Sequence, residues 1–205
     1  DFYGLLYIDA SLERVILYAY PAFVVIWTRL FFREPMTLRK VFSLALTYAG
    51  LALVMKLFHG VEKTHLIGAA LVLFSAVIYS LSYIFTDVFS KRVSGVKLSA
   101  YATTAAAFAF LGTWGAQNGA MPQEPGAWAL LLGLAVISTF VPVLTINLGI
   151  KRIGASRAAI ASFIGPVSTA ALAWAILGES LEPVQLAGMG LVMAGVFVIS
   201  FEKKA

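Results

Sequence analysis

Seven uninterrupted apolar runs follow one another along this chain, joined by connectors too short to fold by themselves. The runs are 15–32, 41–58, 66–89, 98–115, 127–150, 158–177 and 184–201. Each has roughly 18–24 residues, the length a helix needs to cross the hydrocarbon of a bilayer. In that solvent a segment must satisfy its own backbone polar groups, which a helix does without help from a neighbour. A membrane β-barrel would instead show segments of about ten residues with alternating polarity, and these runs do not alternate. Composition agrees: 60% of residues are hydrophobic and 12% charged, against about 45–50% and about 25% in soluble domains. The fold class predicted is an all-α membrane protein, a polytopic bundle of about seven transmembrane helices.

The net charge of +5 is distributed as a topology signal. Arg33, Arg39 and Lys40, then Lys91, Arg92 and Lys97, then Lys151, Arg152 and Arg157, and finally Lys203 and Lys204 occupy every second connector. The intervening connectors, 9–14, 59–65, 117–126 and 178–183, are poorer in Lys and Arg. Basic loops stay in the cytoplasm, so the C-terminus is predicted there, in a bacterial inner membrane. No helix carries a basic stripe, which argues against a nucleic-acid partner. There is no cysteine, hence no disulfide framework and no thiolate chemistry. His59, Glu62 and His65 are spaced by three residues in a connector, unlike the four-residue helical spacing of a zinc site, and no metal or cofactor is predicted. The start, Asp1-Phe2-Tyr3-Gly4, reads as the tail of a helix that begins further upstream.

An internal repeat is the most informative pattern. The segment Gly4 to Val54 overlays Gly149 to Ile199 without a gap, matching Ile8 with Ile153, Ser11 with Ser156, Pro21 with Pro166, Glu34 with Glu179 and Gly50 with Gly195. The copies stand an odd number of spans apart and so cross the bilayer in opposite directions. Inverted repeats of this kind build many secondary transporters, with the substrate site near the midplane between them.

The two copies, DASLERVILYAYPAFVVIWTRLFFREPMTLRKVFSLALTYAGLALV and GASRAAIASFIGPVSTAALAWAILGESLEPVQLAGMGLVMAGVFVI, together resemble the EamA-type drug/metabolite transporters. That resemblance implies a ten-helix fold of two inverted five-helix halves, of which this chain carries the remainder. Residues 1–58 would end the first repeat with a stub and two spans, 59–65 would connect, and 66–205 would form the second repeat with five spans. It implies a permease or exporter of small metabolites, amino acids or drugs working by alternating access, not an enzyme, with the lipid bilayer and a small-molecule substrate as partners. The alternatives are a structural or assembly subunit, or an intramembrane enzyme. The latter requires ionisable groups converging within the spans, and the sequence offers no such set.

Candidate site residues follow from polarity inside the spans. Pro21 and Pro166 each remove a helical hydrogen bond, freeing the carbonyls of Leu17 and Ser162, and mark kinks or hinges. Tyr79, Tyr83, Tyr101, Ser162, Thr169 and Trp174 are the candidates for a cavity wall, able to stack on a solute or bond to it. Asn147 is costly to leave unpaired in lipid. Glu34 and Glu179 end their helices and read as structural carboxylates that hold the following turn. Arg29 and Asp87, near the ends of their spans, are candidates for a gating pair, although Arg29 can also snorkel. Small residues at Ala45/Ala49 and Gly190/Ala194 predict close helix packing, with a homodimer face as the alternative use.

Overall fold

The computed structural model describes residues 3–8, 10–54, 66–116, 122–178, 180 and 182–201, and among them every regular element is helical. A short 3-10 turn, Gly4–Leu6, precedes α1 (Ala10–Leu17), α2 (Tyr20–Phe32), α3 (Leu38–Val54), α4 (Leu66–Ser90) and α5 (Gly95–Ala116). Then come α6 (Pro125–Gly133), a π-helical stretch Leu134–Phe140, α7 (Val141–Ile153), α8 (Ala155–Ala161), α9 (Ile164–Leu177) and α10 (Pro183–Ser200). Each of the seven apolar runs therefore carries helix. Among the described residues four stretches, Leu66–Ser90, Gly126–Ile153, Ala155–Ile176 and Pro183–Ser200, are long and apolar enough by themselves to cross a membrane, and Tyr20–Phe32 is a shorter apolar helix. Large apolar side chains such as Phe108, Phe110, Leu130 and Ile137 stand more than 70% exposed. Water does not tolerate such a surface on a monomer, whereas lipid does. The chain is an integral, multi-pass membrane protein.

Prolines decide where spans break. Pro21 has no N–H to continue the ladder, and α1 gives way to α2 through a turn at Tyr18–Ala19. Pro166 has the same effect between α8 and α9, at Ser162–Phe163. Of the two carbonyls expected to be freed, that of Ser162 accepts the Gly165 N–H at 2.9 Å. A third break, which the sequence pattern did not suggest, lies at Pro142. Pro142 cannot donate to Ser138, and the turns before it widen to π geometry, with the Val141 N–H bonded to the Val136 carbonyl.

The chain falls into two compact units, residues 1–84 with 155–205, and residues 85–154. In the second unit a buried polar node ties three helices. Asn147 on α7 donates to the Ser99 hydroxyl on α5 at 2.9 Å, and the Thr86 hydroxyl on α4 faces the Asn147 carbonyl oxygen at 3.4 Å. The Asn147 side chain is thus partnered, which removes the cost of placing it inside a span.

In the first unit the repeat is visible in the backbone. α2 ends at Arg33 and α9 at Gly178, equivalent positions that both adopt left-handed geometry, with φ of 56° and 70°. Leu38 and Pro183, also equivalent, begin α3 and α10. The Thr37 hydroxyl accepts the Lys40 N–H at 3.2 Å at the first start. At the second, Glu182 and Gln185 form a reciprocal capping box. Glu34 accepts a hydrogen bond from the buried Lys40 ammonium at 2.9 Å and so pins the connector between α2 and α3. Its counterpart Glu179 lies outside the described residues.

α3 and α10 pack more extensively than any other helix pair. They run antiparallel: Arg39, at the start of α3, reaches the carbonyl of Phe201, while Gln185, at the start of α10, reaches that of Val54. Segments that follow Glu34 and Glu179 thus enter this pair from opposite ends. The contact is reciprocal. A Cβ added to Gly50 would meet the Gly188 carbonyl at 2.6 Å, and one added to Gly188 would meet that of Gly50 at 2.7 Å. A Cβ on Gly195 would strike Thr47 and Ser43, and the Ser43 hydroxyl donates to the Gly195 carbonyl at 2.6 Å. Ser43 and Gly188 are repeat equivalents, as are Gly50 and Gly195. The pairs Ser43–Gly195 and Gly188–Gly50 are therefore the same contact seen from each copy.

The small residues expected to mediate close packing, Ala45/Ala49 and Gly190/Ala194, are exposed instead. The seam runs along a stripe rotated from theirs, where Ser43, Thr47, Gly50 and Val192 are buried. Because backbone atoms oppose Gly50, its replacement by Ala must push the helices apart, an overpacking cost of about 1–3 kcal/mol. We expect Gly50→Ala to lower the melting temperature of the detergent-purified chain, while Gly190→Ala, with no atom near its Cβ, leaves it unchanged.

Candidate functional site

The two proline breaks of the first unit come together. At 1.5 Å per residue, Tyr20 lies about 15–18 Å along the helix from the outer ends of α1 and α2, close to the middle of a hydrocarbon core about 30 Å thick. Its hydroxyl is hydrogen-bonded to the Ser162 hydroxyl, at the break between α8 and α9. The same hydroxyl lies 3.4 Å from that of Tyr83 on α4. The Tyr20 ring meets Tyr79 edge-on, with centroids 4.8 Å apart, and tilts against Tyr83 at 5.4 Å. Tyr79 and Tyr83 are themselves edge-to-face at 5.5 Å. Edge-to-face geometry places the positive rim of one ring on the negative face of the next, so the cluster is held by directional contacts as well as by burial. Tyr20 and Tyr83 are buried, whereas Tyr79 is 39% exposed and gives the cluster its open side.

A second ring layer supports the first. Tyr18 and Tyr48 both pack on Phe163, with centroids 5.4 and 5.1 Å away. The Tyr48 hydroxyl donates to the carbonyl of Tyr18 at 2.9 Å, supplying a bond to the backbone where the helix is interrupted. Gly165 makes room for this layer, since a Cβ there would sit 2.9 Å from the Tyr18 hydroxyl. Gly165 is the repeat equivalent of Tyr20. One copy carries a bulky ring at this position and the other a glycine, and the glycine admits Tyr18 from the facing break. Two turns further along the same face of α2, the Trp27 indole N–H donates to Ser80 on α4 at 2.9 Å.

Of the residues expected to line a cavity, Tyr79, Tyr83 and Ser162 are brought together, and Tyr20 is what joins them. Tyr101, on α5, belongs to the second unit and is exposed; Thr169 and Trp174, further along α9, are exposed in the first. Pro21 and Pro166 both stand one turn or less from the cluster. Arg29 is exposed near the end of α2, and Asp87 is buried on α4 within the second unit. His59, Glu62 and His65 lie outside the described residues. Tyr20, Tyr18, Tyr48 and Phe163 were missed. A signal for Tyr20 was available: it immediately precedes the repeated proline, and its counterpart is a glycine.

Residues 2–56 and 66–201 match the EamA-like transporter family. The uncharacterized transporter YcbK of Bacillus subtilis is 32% identical over 97% of this chain and 65% of its own length. An uncharacterized transporter of Synechocystis is 27% identical over 96% of the chain and 60% of its own length. The chain thus spans about 60–65% of the length of these curated relatives. A solved crystal structure shares the fold, with a TM-score of 0.82 over 98% of this chain and 71% of the other, at 17% identity. A helical membrane fold, an internal inverted repeat and a family match over both copies agree, and the chain belongs to the EamA-like transporter family.

Proposed function

We propose that the protein to which this chain belongs is a secondary transporter of small organic solutes, such as metabolites, amino acids or drugs, and that it works by alternating access between its two repeats. The observation that carries the reading is the Tyr20–Ser162 hydrogen bond at the meeting of the two proline breaks. It joins the proline break of one copy to the proline break of the other, deep within the spans. A contact that holds two near-equivalent halves together midway is the natural point at which one access route closes while the other opens. The antiparallel α3–α10 seam supplies a rigid pair against which the broken helices can bend.

The chemistry of the cluster constrains what it handles. Three phenols and a serine offer hydroxyl donors, acceptors and ring faces, with no ionised side chain among them. Such a surface binds neutral or zwitterionic solutes by hydrogen bonds, and cationic ones by cation–π attraction. The relatives carry the word transporter in their names, which supports the general reading and leaves the solute open. In this proposal the basic connectors face the cytoplasm, the C-terminus lies on that side, and the membrane is the bacterial inner membrane.

Two outcomes check the proposal. In full-length protein reconstituted into liposomes, Tyr83→Ala should reduce saturable solute uptake at least about tenfold, the scale of a lost positioning contact. Uptake with unchanged kinetics would remove Tyr83 from the transport route. A double-mutant cycle of Tyr20→Phe and Ser162→Ala should give a coupling of about 0.5–1.5 kcal/mol in stability. Additive effects would show that the hydroxyls do not act on one another.

A further inference from the structure

The end of α2 carries a groove that the transport cluster does not use. Ile26, Arg29, Leu30, Arg33 and Met36 line it, and it encloses about 460 Å³. That is within the ~300–1,000 Å³ typical of sites for small organic molecules and more room than an inorganic anion requires. Its apolar lining comes from Ile26 and Leu30 on α2 and from Met36 just beyond it, and two arginines four residues apart, Arg29 and Arg33, complete it.

Arg33 is unusual in its backbone. Among the described residues it is the one non-glycine with positive φ, at 56°. Left-handed geometry disfavours any side chain and suits glycine, and the equivalent position in the second repeat is Gly178, in the same conformation. The helix end is closed in both copies by the same bond, from the Arg33 N–H to the Thr28 carbonyl and from the Gly178 N–H to the Ala173 carbonyl. A side chain at this position contributes nothing to that closure. The Arg33 side chain therefore needs an explanation other than helix capping. Arg29 differs likewise from its counterpart, Trp174. The same helix end is dressed with two cations in one repeat and with an aromatic ring and a glycine in the other.

Among the described residues no carboxylate pairs with the two charges. Glu34, the next residue, is engaged by the Lys40 ammonium at 2.9 Å. Among the described residues neither Arg29 nor Arg33 makes a side-chain hydrogen bond or ion pair. Two arginines at the end of a membrane helix, lining a groove with apolar side chains, complement a ligand with a phosphate at one end and a hydrocarbon chain at the other.

We infer that this groove is a binding site for an anionic phospholipid, whose headgroup phosphate is held by Arg29 and Arg33 and whose acyl chain lies along Ile26, Leu30 and Met36. Guanidinium suits this role because its fixed fork of donors matches phosphate oxygens. The site is separate from the tyrosine cluster and does not depend on what that cluster transports.

The test compares lipids of equal chain length and different charge. Full-length protein in mixed phosphatidylglycerol and phosphatidylcholine nanodiscs is released into the gas phase, and the lipids that remain bound are counted by native mass spectrometry. The wild type should retain phosphatidylglycerol about 5- to 30-fold over phosphatidylcholine, the size expected of one or two arginines at an anionic surface. Arg33→Gly with Arg29→Gln should bring the ratio to parity. This variant places at position 33 the residue that the other repeat already uses, so the fold is retained, as circular dichroism and elution volume will show. Arg29→Lys with Arg33→Lys keeps the topology charge and loses the fork, and should fall between the two. Equal retention of both lipids by the wild type, or a preference that the Arg33→Gly/Arg29→Gln variant preserves, overturns the inference. So does stabilisation by inorganic phosphate equal to that by phosphatidylglycerol, which would identify a free anion as the ligand. Elution as a dimer that the same variant dissociates would identify a second copy as the occupant, and would overturn it too.

Discussion

In lipid, helices gain nothing from hiding apolar surface, because the solvent is as apolar as they are. What holds them together is close packing and hydrogen bonding. The α3–α10 seam is where this protein meets that constraint. Gly50, Gly188 and Gly195 allow the two backbones to approach until no Cβ would fit. Ser43 then reaches across to a main-chain carbonyl. The proximity of the two repeats in the first unit depends on this approach. Since the contact is reciprocal, each half supplies both a glycine and its partner, and the pair is held antiparallel.

The interrupted helices exploit what the seam makes rigid. A proline within a span leaves backbone groups without their usual partners, and in hydrocarbon those groups must be answered locally. Tyr48 answers one at Tyr18, and the N–H of Gly165 answers another at Ser162. At Pro142 the helix itself changes, to π geometry. These breaks gather polar backbone and hydroxyl groups deep inside the bundle. Tyr20 and Ser162 sit at that place, bonded to one another and framed by rings.

The repeat is not a perfect copy, and its departures carry meaning. Tyr20 has a glycine, Gly165, as its counterpart in the other half, and that glycine leaves room for the Tyr18 hydroxyl. Lys40, which pins Glu34, becomes Gln185, which caps its own helix and reaches Val54. Arg29 and Arg33 become Trp174 and Gly178. Each difference belongs to a position where the two halves meet unlike surroundings, because inverted copies present the same residue to opposite sides of the membrane. Identical copies could not be oriented by charge.

Length and hydropathy were sufficient to read the helical membrane fold and its seven runs, because twenty apolar residues have few other fates. The repeat was legible because Pro21/Pro166 and Gly50/Gly195 keep their spacing, and both prolines proved to be breaks. Tyr79, Tyr83 and Ser162 were recognisable as polar groups within spans, yet nothing in their spacing showed that Tyr20 joins them, since that depends on two distant breaks facing each other. Ala45/Ala49 and Gly190/Ala194 carried the small-residue signal while the contact formed on a neighbouring stripe. A helix presents several such stripes, and which one meets a partner is set by how the partner is rotated. Local chemistry determined where helices form and where they bend; only tertiary packing decided which faces and which hydroxyls would meet.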